Sequence, residues 1–540
     1  MNTAIAGNQF KSPVSKVIAI LLKSRNWLRI KYRELKYRAK VADNDRRAVR
    51  ESRGRWRERA LAAEAELKEL KKKRSVSQSA ISRQVDPQPI GLIHQAIRGT
   101  AFSLLVVRLA IGFVLEAAAS LRSAAGCLNL VLQLEHGQLF AGPSHTTVQN
   151  LLQRLGLYEL TRIKERADDW ILITDHTIKG GVTKCLVILG IRYERYQQLT
   201  GPLQHRDMQT LALIPVDKST GEVVQGQLDE LAEQVGVPLG IVSDHGSDLK
   251  KGLRLFQAEH PEVVILYDII HLLSRLIDAI LSHDNQWATF RQECCRCGHA
   301  IRQSPLSHLC PLTPKTKSRP MNIGGEIQWG ARALQLVQNS RDGQLTDDQV
   351  RPLTPSLIKN KLGWLEDYRA ALSRWEELWL ISEQVCAVVR NEGYHQALTT
   401  SLKSQLPAPV TEAAASLLAQ VFEFSDRVQA EVGTGRRLPG SSEVIESLIG
   451  KGKRLDGLNQ TRGFTAQVLA MAASVVTPTA EIITTALKTC GIKHVQQWRT
   501  KHLAPSSQSL RQRDLTPPPC GTKPGSTHFP HNPRFLTAQP

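Results

Sequence analysis

Aromatic residues, cysteines and long apolar runs are all scarce in this chain. Aromatic residues make up 5% of the 540 residues, which argues against a surface built mainly from stacked rings of the RNA-binding kind. Nine irregularly spaced cysteines are too few for a disulfide scaffold. The most apolar stretch, residues 101–120, contains Arg108 and Glu116, whereas a membrane-spanning helix needs about 20 nearly uncharged residues. The N-terminal residues lack a signal-peptide pattern, so we expect a soluble, cytoplasmic protein.

Acidic residues are also fewer than basic residues. The chain has 70 Lys and Arg against 50 Asp and Glu, a net charge of +20. Residues 11–75 carry +14 of that charge, and a chain this basic usually binds a polyanion. Strong helix formers and the apolar spacing of Leu61, Ala65, Leu67 and Leu70 predict a basic helical or coiled-coil arm over residues 1–84. The arm would clamp DNA phosphates or dimerise; the alternative is a solvated helix without specific contacts.

A helical module is predicted over residues 91–165, after a proline-containing linker. Within it, GPSHTTVQNLLQRLGL is typical of a helix-turn-helix recognition helix that starts at Ser144, whose hydroxyl can cap backbone N–H groups. Its predicted buried stripe consists of Val148, Leu151, Leu152 and Leu155. Its predicted outward side chains, which could reach bases or phosphates, are His145, Thr146, Gln149 and Arg154. An ordinary capped helix would show the same pattern.

Five short apolar runs follow, and several of them end in a carboxylate. Three runs come first, and two more alternate with predicted helices, which is the order of a ribonuclease H-like α/β fold with a mixed sheet. The first part of this predicted catalytic core spans residues 166–271. Asp175, Asp244 and Asp268 stand at or near the ends of the first, fourth and fifth runs.

Asp175 and Asp244 would meet at one edge of such a sheet. Carboxylate oxygens suit Mg²⁺ or Mn²⁺, and two such ions could activate an attacking hydroxyl and stabilise the leaving oxygen of a phosphodiester. The alternative for either residue is a simple cap on the turn that follows its strand. Asp268 is a candidate for an additional metal ligand.

A third carboxylate is expected on a later helix, in the closing part of the core over residues 439–500. In LPGSSEVIESLIGKGKRLDG, Glu446 lies beside the apolar stripe and is the preferred candidate. Glu443 is the alternative, although an acid in the first turn is also favoured by the helix dipole. Three basic residues follow that could hold a phosphodiester: Lys451, Lys453 and Arg454.

An α-helical insertion is predicted over residues 272–438. It contains CCRCGH and a downstream HLC, which offer a possible four-ligand zinc site formed by Cys294, Cys297, His308 and Cys310. The second half of this pattern has no repeated C-x-x-C, so incidental thiols are the alternative. The proline-rich tail, residues 501–540, is predicted to be disordered.

Taken together, these motifs resemble the DDE transposases of bacterial insertion sequences, in particular those with a helical insertion before the third carboxylate. The resemblance lies in SDHGSD around Asp244, in YDIIHLLSRL with His271, and in SSEVIES followed by KGKR and Gly463-Phe464. Serine stands where these proteins usually have Asn before the Glu, and Asp268 stands where some have Cys. The resemblance implies an acidic triad of Asp175, Asp244 and Glu446. It also implies an auxiliary role for His271 towards DNA or the metal site, with a buried structural histidine as the alternative.

For function, the resemblance implies metal-dependent cleavage at the ends of an insertion sequence, followed by strand transfer into target DNA. The nucleophiles would be water and then a DNA 3′-hydroxyl, with two Mg²⁺ or Mn²⁺ ions bound by the triad. The implied partners are double-stranded DNA, as terminal repeats and target, and at least one further copy of the chain in a nucleoid-associated complex. The alternatives are a DNA-binding repressor or decayed copy without catalysis, and a structure-selective nuclease that cleaves without joining. The sequence has no Arg/His constellation around a Ser or Tyr nucleophile that would indicate a recombinase of those classes.

Overall fold

The computed structural model of the chain describes residues 96–136, 142–178, 183–311, 323–344, 354–456, 463–505 and 507–515, with a few positions between 21 and 36. The chain divides into two compact units, residues 1–90 and 91–540. The described positions between 21 and 36 are helical and exposed. The remainder of the predicted basic arm, and the linker after it, lie outside the described residues.

The second unit begins with three packed helices: α1 (Leu104–Leu115), α2 (Leu121–His136) and α3 (His145–Thr161). Ser103 and Ser144 cap α1 and α3, since each hydroxyl accepts a hydrogen bond from a backbone N–H of the first turn. The predicted apolar stripe of α3 is confirmed, because Val148, Leu151, Leu152 and Leu155 are all buried.

A five-stranded mixed sheet forms the centre of the unit. Its strands are β1 (Trp170–Ile178), β2 (Lys184–Arg192), β3 (Gln209–Val216), β4 (Gly240–Ser243) and β5 (Val264–Tyr267). They lie in the order β3-β2-β1-β4-β5. The β1–β2 and β2–β3 pairs are antiparallel, whereas β1–β4 and β4–β5 are parallel. The five predicted strands are thus present, and the sheet is compatible with the predicted ribonuclease H-like architecture.

Successive side chains of β1 and β2 point to opposite faces of the sheet, and they are apolar on both faces. Each face is therefore covered by a hydrophobic cluster. Trp170 and Leu172 face one hydrophobic cluster. This cluster includes buried residues of α5 (Gly221–Val235) and α6 (Ser247–Glu259), which follow the short helix α4 (Tyr193–Gln197). Ile171 and Ile173 face a larger cluster on the other side, formed mainly by the helices that follow the sheet.

Helices dominate the region after the sheet, as the sequence predicts. They are α7 (Ile269–Ser282), α8 (Asn285–Ile301), α9 (Ile323–Arg341), α10 (Pro355–Leu362), α11 (Arg369–Glu392), α12 (Leu398–Gln405) and α13 (Glu412–Val432). Trp287, Phe290 and Trp375 pack ring against ring at their centre. A two-residue antiparallel pair, β6 (Tyr394–His395) with β7 (Arg437–Leu438), returns the chain to the sheet; the sequence pattern does not indicate it.

The closing helices are α14 (Glu443–Asp456), α15 (Leu469–Ala473), α16 (Ala480–Thr489), α17 (Ile492–His502) and α18 (Ser507–Leu515). Helices α15 and α16 share one hydrophobic core with α1–α3. The contact is close: a Cβ on Gly156 of α3 would lie 1.8 Å from the backbone oxygen of Leu469, so glycine is required there.

The C-terminal tail contains a helix where the sequence predicts disorder. Helix α18 corrects the expectation of disorder for residues 507–515, while residues 516–540 lie outside the described residues. Among the described helices, none combines the length and the apolar character needed to cross a membrane.

Candidate active site at the carboxyl edge of the sheet

Asp175 and Asp244 lie side by side where the parallel strands β1 and β4 end. The last paired residues of these strands are Thr174 and Ser243, so the two aspartates occupy the next position on adjacent strands. Strand β1 continues for a few residues beyond this point, because Asp175 still pairs with Val187 of β2. The sheet register therefore brings together two carboxylates that are far apart in the sequence.

The surroundings of Asp175 disfavour its ionised form. Burial, followed by the negative charges of Asp244 and Glu446, raises its pKa to about 7, against the opposing hydrogen bond from the backbone N–H of His176 and the opposing charge of His271. That N–H lies 2.6 Å from Asp175 Oδ1. Like charges at short range disfavour ionisation, and the positive charge of His271 is the smallest of the effects on Asp175 and does not offset them.

Glu446 joins the same group from helix α14. Its Oε1 atom lies 2.7 Å from Nε2 of His271 on α7. Burial lowers the pKa of His271, but the hydrogen bond to Glu446 and the charges of Asp268, Glu446 and Asp244 outweigh this and raise it to about 9. The imidazole is therefore protonated at neutral pH and holds Glu446 towards the sheet edge. The structure thus brings together all three carboxylates of the predicted triad and the predicted auxiliary histidine.

Glu443, the alternative third carboxylate, is engaged elsewhere. Both of its carboxylate oxygens accept hydrogen bonds from the Arg390 guanidinium, each at 2.6 Å. Such a two-point contact fixes the side chain and neutralises it. Glu446 is accordingly the better placed of the two acids.

Asp268, the candidate additional ligand, is fully buried and has both oxygens occupied. Oδ1 accepts hydrogen bonds from the backbone N–H groups of Ile270 and His271, which caps helix α7. Oδ2 accepts the Ser442 hydroxyl at 2.6 Å and the Ser442 backbone N–H. This arrangement gives Asp268 a structural function, joining the start of α7 to the start of α14.

Mg²⁺ and Mn²⁺ prefer negatively charged oxygen ligands, and the carboxylates provide ligands of this type. In the described part of the chain, however, no three or more His, Cys, Asp or Glu side chains are gathered closely enough to hold a metal ion. The triad is therefore not preassembled around a single ion. The donor set fits ions that are each held by fewer of these side chains, with waters and substrate oxygens completing the coordination.

His245, next to Asp244, was missed by the sequence reasoning. It adopts a left-handed backbone conformation, with φ of 55°, which is unusual for a non-glycine residue and often marks a functional site. Its ring stacks on Tyr267 at 4.6 Å between centroids, and its buried Nε2 atom has no hydrogen-bond partner in the described structure. The only sequence signal is the adjacent Gly246, which marks a tight turn.

The predicted phosphate-binding residues of α14 differ in accessibility. Arg454 is exposed, whereas Lys451 and Lys453 are half-buried. Burial, followed by the positive charge of Arg454, lowers the pKa of Lys451. All three residues follow Glu446 on the same helix.

Arg154 corrects part of the prediction for helix α3. Its guanidinium is buried and donates three hydrogen bonds, to the backbone oxygens of Gly99, Leu487 and Cys490 at 2.6, 2.7 and 2.6 Å. Leu487 and Cys490 lie at the carboxyl end of α16, where backbone carbonyls lack helical partners and the dipole favours a cation. Arg154 therefore stabilises the fold instead of facing DNA. Of the other predicted contacts, His145 and Thr146 are exposed and Gln149 is half-buried.

The predicted zinc ligands form no metal site among the described residues, although Cys297 acts electrostatically on Cys294, and Cys310 on Cys297. Cys294 and Cys297 are buried on α8, and burial raises the pKa of both thiols, which disfavours the thiolate that zinc requires. His308 and Cys310 lie in or directly after a short 3₁₀ helix, Ser307–Leu309. The four side chains form no metal-binding group among the described residues.

No protein-family model and no curated protein matches this chain. Among solved structures, it is similar to the Drosophila P element transposase strand transfer complex, with a TM-score of 0.35 and 11% sequence identity. The alignment covers 71% of this chain and 94% of that one. At this distance the similarity carries no argument about function, which has to be inferred from the chain's own geometry.

Proposed function

We propose that this chain is a DNA transposase of the DDE type, similar to those of bacterial insertion sequences. The observation that carries the proposal is the convergence of Asp175, Asp244 and Glu446 at one edge of a mixed sheet. The chain's net charge of +20 supports a DNA substrate. The reaction would be strand cleavage at the ends of the element, followed by joining of the freed 3′-hydroxyl to target DNA.

Each residue of the site has a distinct part in this proposal. Asp175 and Asp244 would hold Mg²⁺ or Mn²⁺ between the strand ends, and Glu446 would complete the site from α14. When bound, the ions would activate the attacking hydroxyl and stabilise the leaving oxygen. His271 orients Glu446 through their 2.7 Å contact, so it is a positioning residue. Lys451, Lys453 and Arg454 would hold the phosphodiester beside the carboxylates.

DNA recognition would involve the exposed first turn of α3, with His145, Thr146 and Gln149 as contacts in a helix-turn-helix-like module. Synapsis of two DNA ends would require at least a dimer. We place the protein in the cytoplasm, bound to the nucleoid. These three features extend the proposal beyond the catalytic site and can be tested separately from it.

The test is a cleavage and strand-transfer assay on DNA that carries the sequences flanking the gene, with Mg²⁺ or Mn²⁺. Asp175→Asn, Asp244→Asn and Glu446→Gln should each slow both steps on the order of 10³-fold, because each removes a charge that positions the ions. DNA binding should persist. Asp278→Asn is the matched control, since this aspartate is exposed on α7, the helix that carries His271.

Other outcomes would assign different functions. Binding without cleavage by the wild type would indicate a repressor or a decayed copy. Cleavage without joining would indicate a nuclease. If Glu446→Gln retained activity while Glu443→Gln lost it, the third carboxylate would be Glu443.

A further inference from the structure

A second polar site lies away from the carboxylates, between helices α3 and α17. It is a pocket of about 650 Å³, within the range of roughly 300–1,000 Å³ that is usual for small-ligand sites. Gln149, Asn150 and Gln153 of α3 line one side, and Arg499 of α17 lines another. Buried Phe464 contributes an apolar wall.

The polar groups of this pocket are largely unused within the protein. Among the described residues, no hydrogen bond or ion pair engages the side chains of Gln149, Asn150 or Arg499. Gln153, which is 7% exposed, donates through Nε2 to Oε1 of Gln467 at 3.3 Å. Gln467 is 4% exposed, yet its own Nε2 has no partner among the described residues. The side chains of Gln149 and Asn150 are half-buried and that of Arg499 is exposed, so a ligand in the pocket can reach their polar groups.

The chemistry of the cluster selects the class of ligand. Each amide offers both donors and an acceptor, the combination that recognises the edges of nucleobases. Arg499 adds the bidentate cation that suits a phosphate. The exposed His145 and Thr146 lie one turn before Gln149 on the same helix, so DNA held by the start of α3 would pass the mouth of the pocket.

We propose that this pocket binds one unpaired nucleotide of the DNA substrate, with the base against the amides of α3 and its phosphate at Arg499. A paired base cannot present its hydrogen-bonding edge to these amides, because that edge is occupied within the duplex. The nucleotide must therefore be extruded or already single-stranded. This inference rests on the proposed function for its substrate, but it does not depend on catalysis.

The test measures binding by fluorescence anisotropy in EDTA, so that no cleavage occurs. The probes are a short perfect duplex and the same duplex with one unpaired central nucleotide. The wild type should bind the second probe about fivefold or more tightly, since one good base contact gives at least that discrimination. The double variant Gln149→Ala/Asn150→Ala should bind both probes equally. Gln496→Ala is the matched control, because this exposed amide lies on α17 but does not line the pocket.

A second pair of variants guards against misfolding. Gln149→Glu/Asn150→Asp keeps the size of both side chains but removes their donors, and it should also lose the preference. Arg499→Ala should weaken binding of the probe with the unpaired nucleotide more than binding of the duplex. Thermal unfolding of each variant should match that of the wild type.

The inference is overturned if the ratio of the two affinities is unchanged in these variants, or if the wild type shows no preference. A wild type that cleaves DNA but shows no preference refutes only the pocket. A preference without any cleavage in Mg²⁺ supports the pocket and contradicts the proposed activity.

Discussion

The carboxyl edge of the sheet and the middle of helix α3 both contain buried charges, but the surroundings of these charges differ. Arg154 is surrounded by three backbone oxygens that accept its hydrogen bonds. Asp175 faces the like charges of Asp244 and Glu446. A buried charge whose hydrogen-bond partners all lie within the protein is a structural group. A buried charge that lies mainly among like charges indicates a binding site for a cation or a substrate.

Asp268 shows that the same distinction holds within a single row of strand ends. It follows β5 at the position that Asp244 occupies after β4. Its oxygens are nevertheless all engaged by backbone N–H groups and by Ser442. Position in the sheet alone therefore does not identify a metal ligand.

The strongest test of the comparison is Arg154→Leu. The substitution leaves three backbone oxygens without donors in a buried place, so we expect it to reduce the free energy of unfolding by about 3–5 kcal/mol. Urea denaturation measures this change. Arg454→Leu, which alters an exposed arginine, should change stability by no more than about 0.5 kcal/mol. Equal effects of the two substitutions would contradict a structural function for Arg154.

A smaller loss of stability is expected from Asp268→Asn. Asparagine can still cap α7, but its amide nitrogen would face the two donors of Ser442. We expect a loss of about 2 kcal/mol, measured in the same way, with Asp278→Asn as the exposed control. If Asp268→Asn instead left stability unchanged and abolished metal-dependent cleavage, Asp268 would be a ligand after all.

Asp175→Asn should have the opposite sign and stabilise the protein in the absence of divalent cations. The folded pKa of about 7 lies above the ordinary value of 3.8, so folded protein binds more protons and stability falls as pH rises from about 4 to 7. The gain from Asn should therefore be small near pH 4, increase up to pH 7 and remain constant above it. The full shift would correspond to about 4 kcal/mol; we expect about 1–2 kcal/mol because solvent reaches part of the side chain.

Thermal unfolding of Asp175→Asn and wild type across this pH range, in EDTA, provides the measurement. A stabilisation that did not vary with pH would show that the pKa of Asp175 is not raised in the folded protein. Addition of Mg²⁺ should stabilise the wild type more than the variant.

The smallest expected effects concern exposed charges. Arg454→Ala should leave stability unchanged, weaken DNA binding for all sequences to a similar extent, and reduce the slope of log affinity against log salt by about one. Arg302→Ala, which alters an exposed arginine directly after α8, is the control. A slope that did not change would exclude a phosphate contact at Arg454.

A structural feature could be predicted from the sequence when the residues that form it are close together along the chain. The strands, the stripe of α3, Asp175 and Asp244 follow from local patterns, because apolar alternation and strand-end carboxylates are visible within a few residues. Arg154 could not be assigned in this way, since its partners Leu487 and Cys490 lie more than 300 residues away. Asp268 and Ser442 are 174 positions apart. The turn at His245 was missed because a positive φ leaves no mark on side-chain periodicity.

The packing of α3 against α15 and α16 also has a consequence for synthesis. Arg154 cannot meet the carbonyl of Cys490 until 336 further residues have been translated, which takes roughly 15–70 s at about 5–20 residues per second. During that interval the part of the apolar surface of α1–α3 that α15 and α16 later cover has no partner. A message interrupted before α16 would therefore yield a chain that cannot complete its first helical layer, even though that layer was made first.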